Sequence, residues 1–202
     1  MDRRKFIRSA TVLAVSSLMP SFAKARLSCG PWVPPGIQGC TAGINSALIP
    51  VTAFQQMNQW CWAACIEMVF RYYGFKVSQA KIVEDTWGNI INMPGSPGQI
   101  LADLNRDWTD QFNRDFTTNG DSYSANAMTA AQDLANDMPL IIGTMGHAVV
   151  LTRLDYFVDL YGNGDVKSAT VRDPWPGRGR RVLSPQEWYN ISFAARIRVQ
   201  AS

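Results

Sequence analysis

Apolar and polar positions change their period along the chain, and the change falls at Pro139. Ahead of it, apolar residues recur at helical spacing. Residues 58–73 carry Trp62, Cys65, Ile66, Val69 and Tyr73, the i, i+3, i+4 spacing of a buried helix face. Gly74 follows, where a residue without a Cβ can close the helix in a left-handed cap. A second helix is predicted over 78–87 with Ser78 as its N-cap, and two further helical patterns cover 97–108 and 125–138. Beyond Pro139 the pattern is that of strands, over 140–144, 147–154, 169–172 and 194–199. A short helix is predicted to open at Ser184-Pro185, since proline suits the first helical turn. Residues 26–50 follow neither period; the stretch CGPWVPPGIQGC is rich in Gly, Pro and Cys and reads as an irregular arm. Helices followed by strands predict an α+β domain with one sheet.

A length of 202 residues with 47% hydrophobic and 17% charged positions suits one globular core and excludes a disordered chain. No run of about 18 uninterrupted apolar residues is present, so no membrane anchor is expected. The formal charge of +3 is concentrated at the N-terminus. Residues 1–25 hold five cations (Arg3, Arg4, Lys5, Arg8 and Lys24) and one anion, Asp2. Setting them aside takes Lys and Arg from 19 to 14 and Asp and Glu from 16 to 15, a net of −1. Non-specific nucleic-acid binding is thereby excluded as a role for the body.

Those first 25 residues have the layout of a cleaved export signal: a basic start, an apolar stretch over 10–22, and the small-residue site Ala23-Lys24-Ala25. Arg3-Arg4 with Phe6 resembles a bacterial twin-arginine signal, and an ordinary Sec signal that happens to carry two arginines is the alternative. Either way the mature chain is expected to begin near Arg26 and to work in the periplasm or outside the cell. A lipid anchor on Cys29 is not expected, because Arg26 stands where such a signal needs an apolar residue.

Four cysteines follow, at 29, 40, 61 and 65. In an exported protein the nearby pair Cys29 and Cys40 is expected to form a disulfide, worth about 3 kcal/mol for so short a loop. Cys61 and Cys65 lie one turn apart near the start of the first long helix. Cys61 is nearer the positive end of the helix dipole and is the better-placed thiolate; Cys65, beside Ile66 and Val69, reads as a small packed hydrophobe.

The chain has a single histidine, His147, so any Cys–His chemistry must use it. The plainer role for a lone histidine is a structural one. Strand 169–172 ends at Asp173-Pro174. In a hairpin centred near Leu160, His147 and Asp173 would pair and the carboxylate would orient the imidazole. A turn at Gly162-Asn163-Gly164 would instead carry Asp173 several residues away.

Three segments together resemble the papain-like cysteine peptidases. QQMNQWCWAAC matches their nucleophile segment, with Gln55 six residues before Cys61 and Trp62 directly after it. Gly146-His147-Ala148-Val149 resembles the family's His-Ala-Val strand, and Asp173-Pro174-Trp175 its Asn-x-Trp segment with Asp in place of Asn. The Asp and the QWCWAA motif look most like a bacterial, AvrRpt2-like branch. The resemblance implies a papain-like peptidase domain over 51–202, with a helical part carrying the nucleophile packed on a C-terminal antiparallel sheet. It implies Cys61, His147 and Asp173 as catalytic residues, Gln55 in the oxyanion hole, and Trp62 and Trp175 as supports, Trp175 shielding the His147–Asp173 bond. The usual Cys-Gly-Ser-Cys-Trp is here Asn58-Gln59-Trp60-Cys61-Trp62, with Trp60 where a small residue is common.

The expected partner is a protein or peptide substrate, and no cofactor is expected. A zinc site is disfavoured by the C-x3-C spacing and the single histidine. The same Cys–His pair would also serve a cell-wall amidase or an acyl transferase, and an inactive papain-like binding module is a further alternative. Arg178-Gly179-Arg180-Arg181 reads as a solvated loop, or as a feature near the cleft that meets acidic substrate. Trp87, Trp108 and Trp188 read as packing residues.

Overall fold

The computed structural model describes residues 26–45 and 53–201. The export signal expected over 1–25, and residues 46–50 of the arm, lie outside the described residues. The first half of the chain forms β1 (Arg26–Val33), β2 (Ile37–Gly43), α1 (Cys61–Tyr72), α2 (Gln79–Trp87) and α3 (Pro97–Asp103). The second half forms β3 (Asp107–Thr109), β4 (Asp115–Tyr123), α4 (Ala127–Ala135), β5 (Leu140–Thr144) and β6 (His147–Asp159). It ends with β7 (Gly164–Asp173), β8 (Gly179–Val182), α5 (Pro185–Tyr189) and β9 (Ile191–Ala201). This is an α+β fold in which α1–α3 precede most of a large antiparallel sheet, whose strands β1 and β2 come before them in the chain.

The sheet runs β1-β2-β6-β5-β9-β4-β3, with β7 and β8 added beside β6. One edge of β6 serves two partners in succession: β5 pairs with residues 147–151 and β2 with 153–159. β7 overlaps both stretches and therefore takes the other edge. Strand alternation sorts the central side chains between two cores. Ile141, Val150 and Ala195 face α1 and α2, while Leu140, Ile142, Val149 and Leu151 face α4. A strand covered on both faces reads as a continuous apolar run, which is why LIIGT shows no alternation.

α1 is buried almost all round, from Trp62 to Phe70, and it ends as its sequence predicts. Gly74 is left-handed (φ 88°), its N–H reaching Arg71 O at 3.0 Å and that of Phe75 reaching Phe70 O at 2.9 Å. These two bonds form a Schellman closure. α2 is capped by the Ser78 side chain, which accepts from Lys81 N.

Several elements differ from expectation. The arm is no irregular segment: β1 and β2 form a hairpin closed by the Cys29–Cys40 disulfide, with the two cysteines directly opposite each other. The Pro34-Pro35-Gly36 run supplies its turn, and β2 is held by seven residue pairs to β6. Pro31 is tolerated because β1 is an edge strand with an irregular register between Cys29 and Trp32. The pattern over 97–108 splits into α3 and β3, since Asn105 turns its side chain to the Gly120 backbone and ends the helix. β4, with the polar sequence DFTTNGDSY, is made a strand by its pairing with β9. α1 begins at Cys61 and not at 58, because residues 57–60 form a turn in which Trp60 N–H reaches Met57 O.

Candidate active site

That late start puts Cys61 at the first position of a long buried helix. Trp60 is its N-cap and offers no side-chain cap to the first-turn amides. The thiol is paired with His147, and that imidazole and the backbone amides of Ala148 and Trp62 all favour its ionised form. Its side chain is partly exposed, whereas Cys65, one turn on, is fully buried.

His147 opens β6 directly after a two-residue turn in which Met145 (φ 50°) and Gly146 (φ 77°) are both left-handed. Such a turn gives hairpin strands their native twist, and a non-glycine residue there carries strain. His147 Nε2 lies 2.7 Å from Asp173 Oδ1, so the other ring nitrogen, Nδ1, is the one left for Cys61.

The His147–Asp173 contact arises from a register two residues away from the one expected. The β6–β7 loop turns on Asp159, whose Oδ1 accepts from Tyr161 N at 2.9 Å and Asn163 N at 2.8 Å. The pairs run from Val158 with Gly164 to Val150 with Arg172, past two irregularities. Asp173 therefore follows on opposite Val149, and His147 is its diagonal neighbour on the same face. Diagonal neighbours stay within reach of long side chains, so the contact survives.

Asp173 is completely buried and its oxygens are fully engaged. Oδ1 also accepts from Trp175 N at 2.9 Å, and Oδ2 accepts from Arg181 Nε at 2.7 Å, with Arg178 at 3.5 Å. Burial alone would raise the carboxyl, but His147, the Trp175 amide and Arg181 hold it well below the usual carboxylate range. Burial likewise pushes His147 down, and hydrogen bonds and charge from Asp173 and Cys61 outweigh it and bring it up to about 9. For Cys61 burial pushes the thiol up, while His147 and the Ala148 and Trp62 amides outweigh that and lower it. Cys65 lacks such partners and burial pushes it far up. The arrangement favours an ionised sulfur beside an imidazolium.

A family model described as the Peptidase_C39 like family matches residues 48–196. The chain belongs to the Peptidase_C39 like family. It is thus a cysteine-type peptidase, and its C39-like span holds Gln55, Cys61, His147 and Asp173 but not the β1–β2 hairpin. Two solved structures are similar. One is a double glycine motif protease from an AMS/PCAT transporter in complex with the leader peptide. It is 16% identical with a TM-score of 0.49, the alignment covering 79% of this chain and 98% of that one. The other is the peptidase domain of Streptococcus ComA, a bi-functional ABC transporter involved in a quorum sensing pathway. It is 17% identical with a TM-score of 0.47, covering 74% of this chain and 97% of that one. No curated protein matches the chain.

In this C39-like chain Gln55 is buried, and its backbone N–H reaches Pro174 O at 2.8 Å, tying it to the segment that follows Asp173. Its Nε2 donates to Met57 O at 3.0 Å. The segment around it is fixed from below. Buried Glu67 accepts from Gln79 Nε2 at 2.7 Å, and Gln79 in turn binds Phe54 O at 2.9 Å and Gln56 N at 2.9 Å. Trp60 and Trp62 are both buried, donating from their indoles to Ile91 O at 2.8 Å and Met93 O at 3.1 Å. Trp60 thus packs inward, into the core on which α1 rests. A Cβ on Gly95 would lie 2.6 Å from the Trp62 ring, so glycine lets that loop close on the indole. Trp175 is 43% exposed and presents an edge contact to His147 at 6.3 Å between ring centres.

Sequence reasoning missed Arg181. It is no solvated loop residue: it lies on β8, clamps Asp173, and is held in turn by Glu187 through Nη1 at 3.0 Å and Nη2 at 2.6 Å. The one visible signal was Ser184-Pro185-Gln186-Glu187, a capping box that places Glu187 at the start of α5. Glu67 and Gln79 gave no signal, since both fall on helix positions that read as ordinary.

Proposed function

We propose that this chain is an exported peptidase that hydrolyses peptide bonds through Cys61, with His147 carrying the proton, Asp173 orienting the imidazole and Gln55 stabilising the oxyanion. The observation that carries the reading is the imidazole of His147, held at 2.7 Å by a fully buried carboxylate and coupled electrostatically to a thiol at a helix start. Export rests on the signal-like residues 1–25 and places the protein in the periplasm or outside the cell. Among the described residues no helix is long and apolar enough to cross a membrane. The QWCWAA motif and the Asp at 173 favour the narrower AvrRpt2-like kinship.

In this mechanism the Cys61 thiolate attacks the scissile carbonyl carbon, and the carbonyl electron pair moves onto oxygen. The oxyanion accepts from the Cys61 backbone N–H and from Gln55 Nε2. As the oxyanion collapses, the C–N bond breaks and the His147 imidazolium gives its proton to the leaving amine. A water then attacks the thioester, losing a proton to His147, and the thiolate leaves. Protein or peptide substrates suit an apolar rim of this kind: Phe54 and Met57 flank Gln55, Met145 lies in the turn before His147, Trp175 edges onto His147, and all four are exposed. Such a rim would receive apolar side chains near the scissile bond, and methionine adapts to varied shapes.

Labelling tests the nucleophile. The purified chain treated with a peptidyl epoxide is expected to carry one adduct, on Cys61, with Cys65 untouched. An adduct mapped to Cys65, or none on either cysteine, would sink the reading. The pH profile tests the pair. Hydrolysis is expected to rise at a pH below the ordinary thiol value, where Cys61 ionises, and to fall as pH passes about 9, where His147 loses its proton. A single rise centred near a free thiol's value of about 8.5, with no alkaline fall, would show an isolated cysteine.

A further inference from the structure

We infer that Arg181 and Glu187 are positioning residues that set the working pH range of the Cys61–His147 pair by acting through Asp173. The inference rests on the catalytic roles proposed above for those three residues. Five charged groups alternate in sign along one line of contacts: Cys61 thiolate, His147 imidazolium, Asp173, Arg181 and Glu187. His147 Nε2 and Arg181 Nε take opposite oxygens of the same carboxylate, each at 2.7 Å. Glu187 then takes the remaining face of the guanidinium through two bonds and is itself fixed by Ser184 N at 2.8 Å.

The strand geometry fixes this order. Arg181 lies opposite Val171 on the β7–β8 ladder, and Asp173, two residues on, shares the face of Val171. Arg172 and Arg180 pair with each other on the opposite face and do not meet Asp173. The groups facing His147 are Cys61 from α1, Asp173 from β7 and the Trp175 ring. Those facing Asp173 are His147 from β6, Arg181 from β8, and Arg178 and the Trp175 amide from the loop between. Buried Cys65 also lies within its field, as a neutral thiol.

The electrostatic consequence has a definite sign. A bare carboxylate buried against His147 would hold its proton too firmly for ready delivery to a leaving amine. Arg181 offsets part of that charge, and Glu187 tempers Arg181. Removing Arg181 therefore raises both inflections of the ion pair, because the thiolate loses a distant cation and the imidazolium gains a less compensated anion. Removing the charge of Glu187 moves both the other way. A purely structural role would scale reactivity at every pH and leave the inflections in place.

The probe is iodoacetamide, whose rate of alkylation at Cys61 is followed against pH in the intact chain and needs no knowledge of the substrate. Arg181→Met is expected to move both inflections up by about one pH unit, on the scale of one charge at a few ångströms' remove through protein. Glu187→Gln, which keeps the side chain's shape and its bond to Ser184, is expected to move them down by less. Arg181→Lys is expected to restore the inflections while still lowering peptide turnover, because a lysine cannot reproduce the fork between Asp173 and Glu187. Should Arg181→Met fail to fold, the Lys and Gln variants still decide the matter. Unmoved inflections in Glu187→Gln, or a shift of the same sign in Arg181→Met and Glu187→Gln, would overturn the inference. Asp173→Asn is the reference: an unchanged alkylation profile and turnover in that variant would instead defeat the catalytic role of Asp173.

Discussion

Replacing His147 by alanine is expected to lower kcat/KM for a peptide the wild-type chain cleaves by about ten-thousand-fold near neutral pH. Two losses act together. Without the imidazolium the thiol keeps the burial that raises it and retains only the Trp62 and Ala148 amides to oppose this, so the thiolate fraction falls. Without its proton the amine leaving group must depart unprotonated, and general acid–base catalysis alone is worth about a hundred- to ten-thousand-fold. The two effects belong to one pair and are not additive. The fold should tolerate the change. Asp173 keeps Trp175 N–H, Arg181 and Arg178, so no charge is left uncompensated, and a stability loss of about 1 kcal/mol is expected from the missing hydrogen bond. The checks are turnover, iodoacetamide alkylation at pH 7 and thermal unfolding, measured on the same preparation. A variant that unfolds near the wild-type temperature yet keeps more than a tenth of the activity would remove His147 from the chemistry.

The sequence carried the site better than it carried the sheet, and the reason is physical. Cys61, His147 and Asp173 each stand at an element boundary with a local signature: a helix start, a glycine turn before an apolar strand, and a proline that ends one. Their meeting needed only the right face, which the period of two preserves under a two-residue slip. The one-residue alternation made the diagonal contact possible even though the hairpin is centred on Tyr161 and not on Leu160. β2 and β4 were illegible for the opposite cause. Their residues have little strand preference and became strands through partners more than a hundred and about seventy-five positions away, β6 and β9. Arg181 was hidden in the same way. An arginine reads as solvated until the fold sets a buried carboxylate beside it, and only its neighbour Glu187, inside a capping box, had a local signal. The helices α2 and α5 were legible because Ser78 and Ser184 announce them at short range.

The second large effect is expected at Gln55. Replacing it by alanine should lower kcat by about a hundred- to a thousand-fold while KM changes little, because a donor aimed at a developing oxyanion acts in the transition state and not in the bound substrate. The side chain is suited to such a role by how little else it does. Nε2 makes one bond, to Met57 O at 3.0 Å, which leaves its second N–H, and Oε1 is buried without a partner among the described residues. The position itself is held by the backbone bond to Pro174 O and by Gln79 below, both of which survive the substitution. Gln55→Glu separates the donor from the shape: it nearly keeps the volume, loses the N–H pair and sets a carboxylate against the forming oxyanion, so it should be at least as impaired as alanine. Alkylation by iodoacetamide gives the complementary readout. That reaction displaces iodide at a saturated carbon and builds no oxyanion, so Gln55→Ala should alkylate at close to the wild-type rate while hydrolysing peptides slowly. If turnover and alkylation fall together, Gln55 supports the thiolate and not the oxyanion. If neither falls, the oxyanion is held by the Cys61 N–H with a donor other than Gln55.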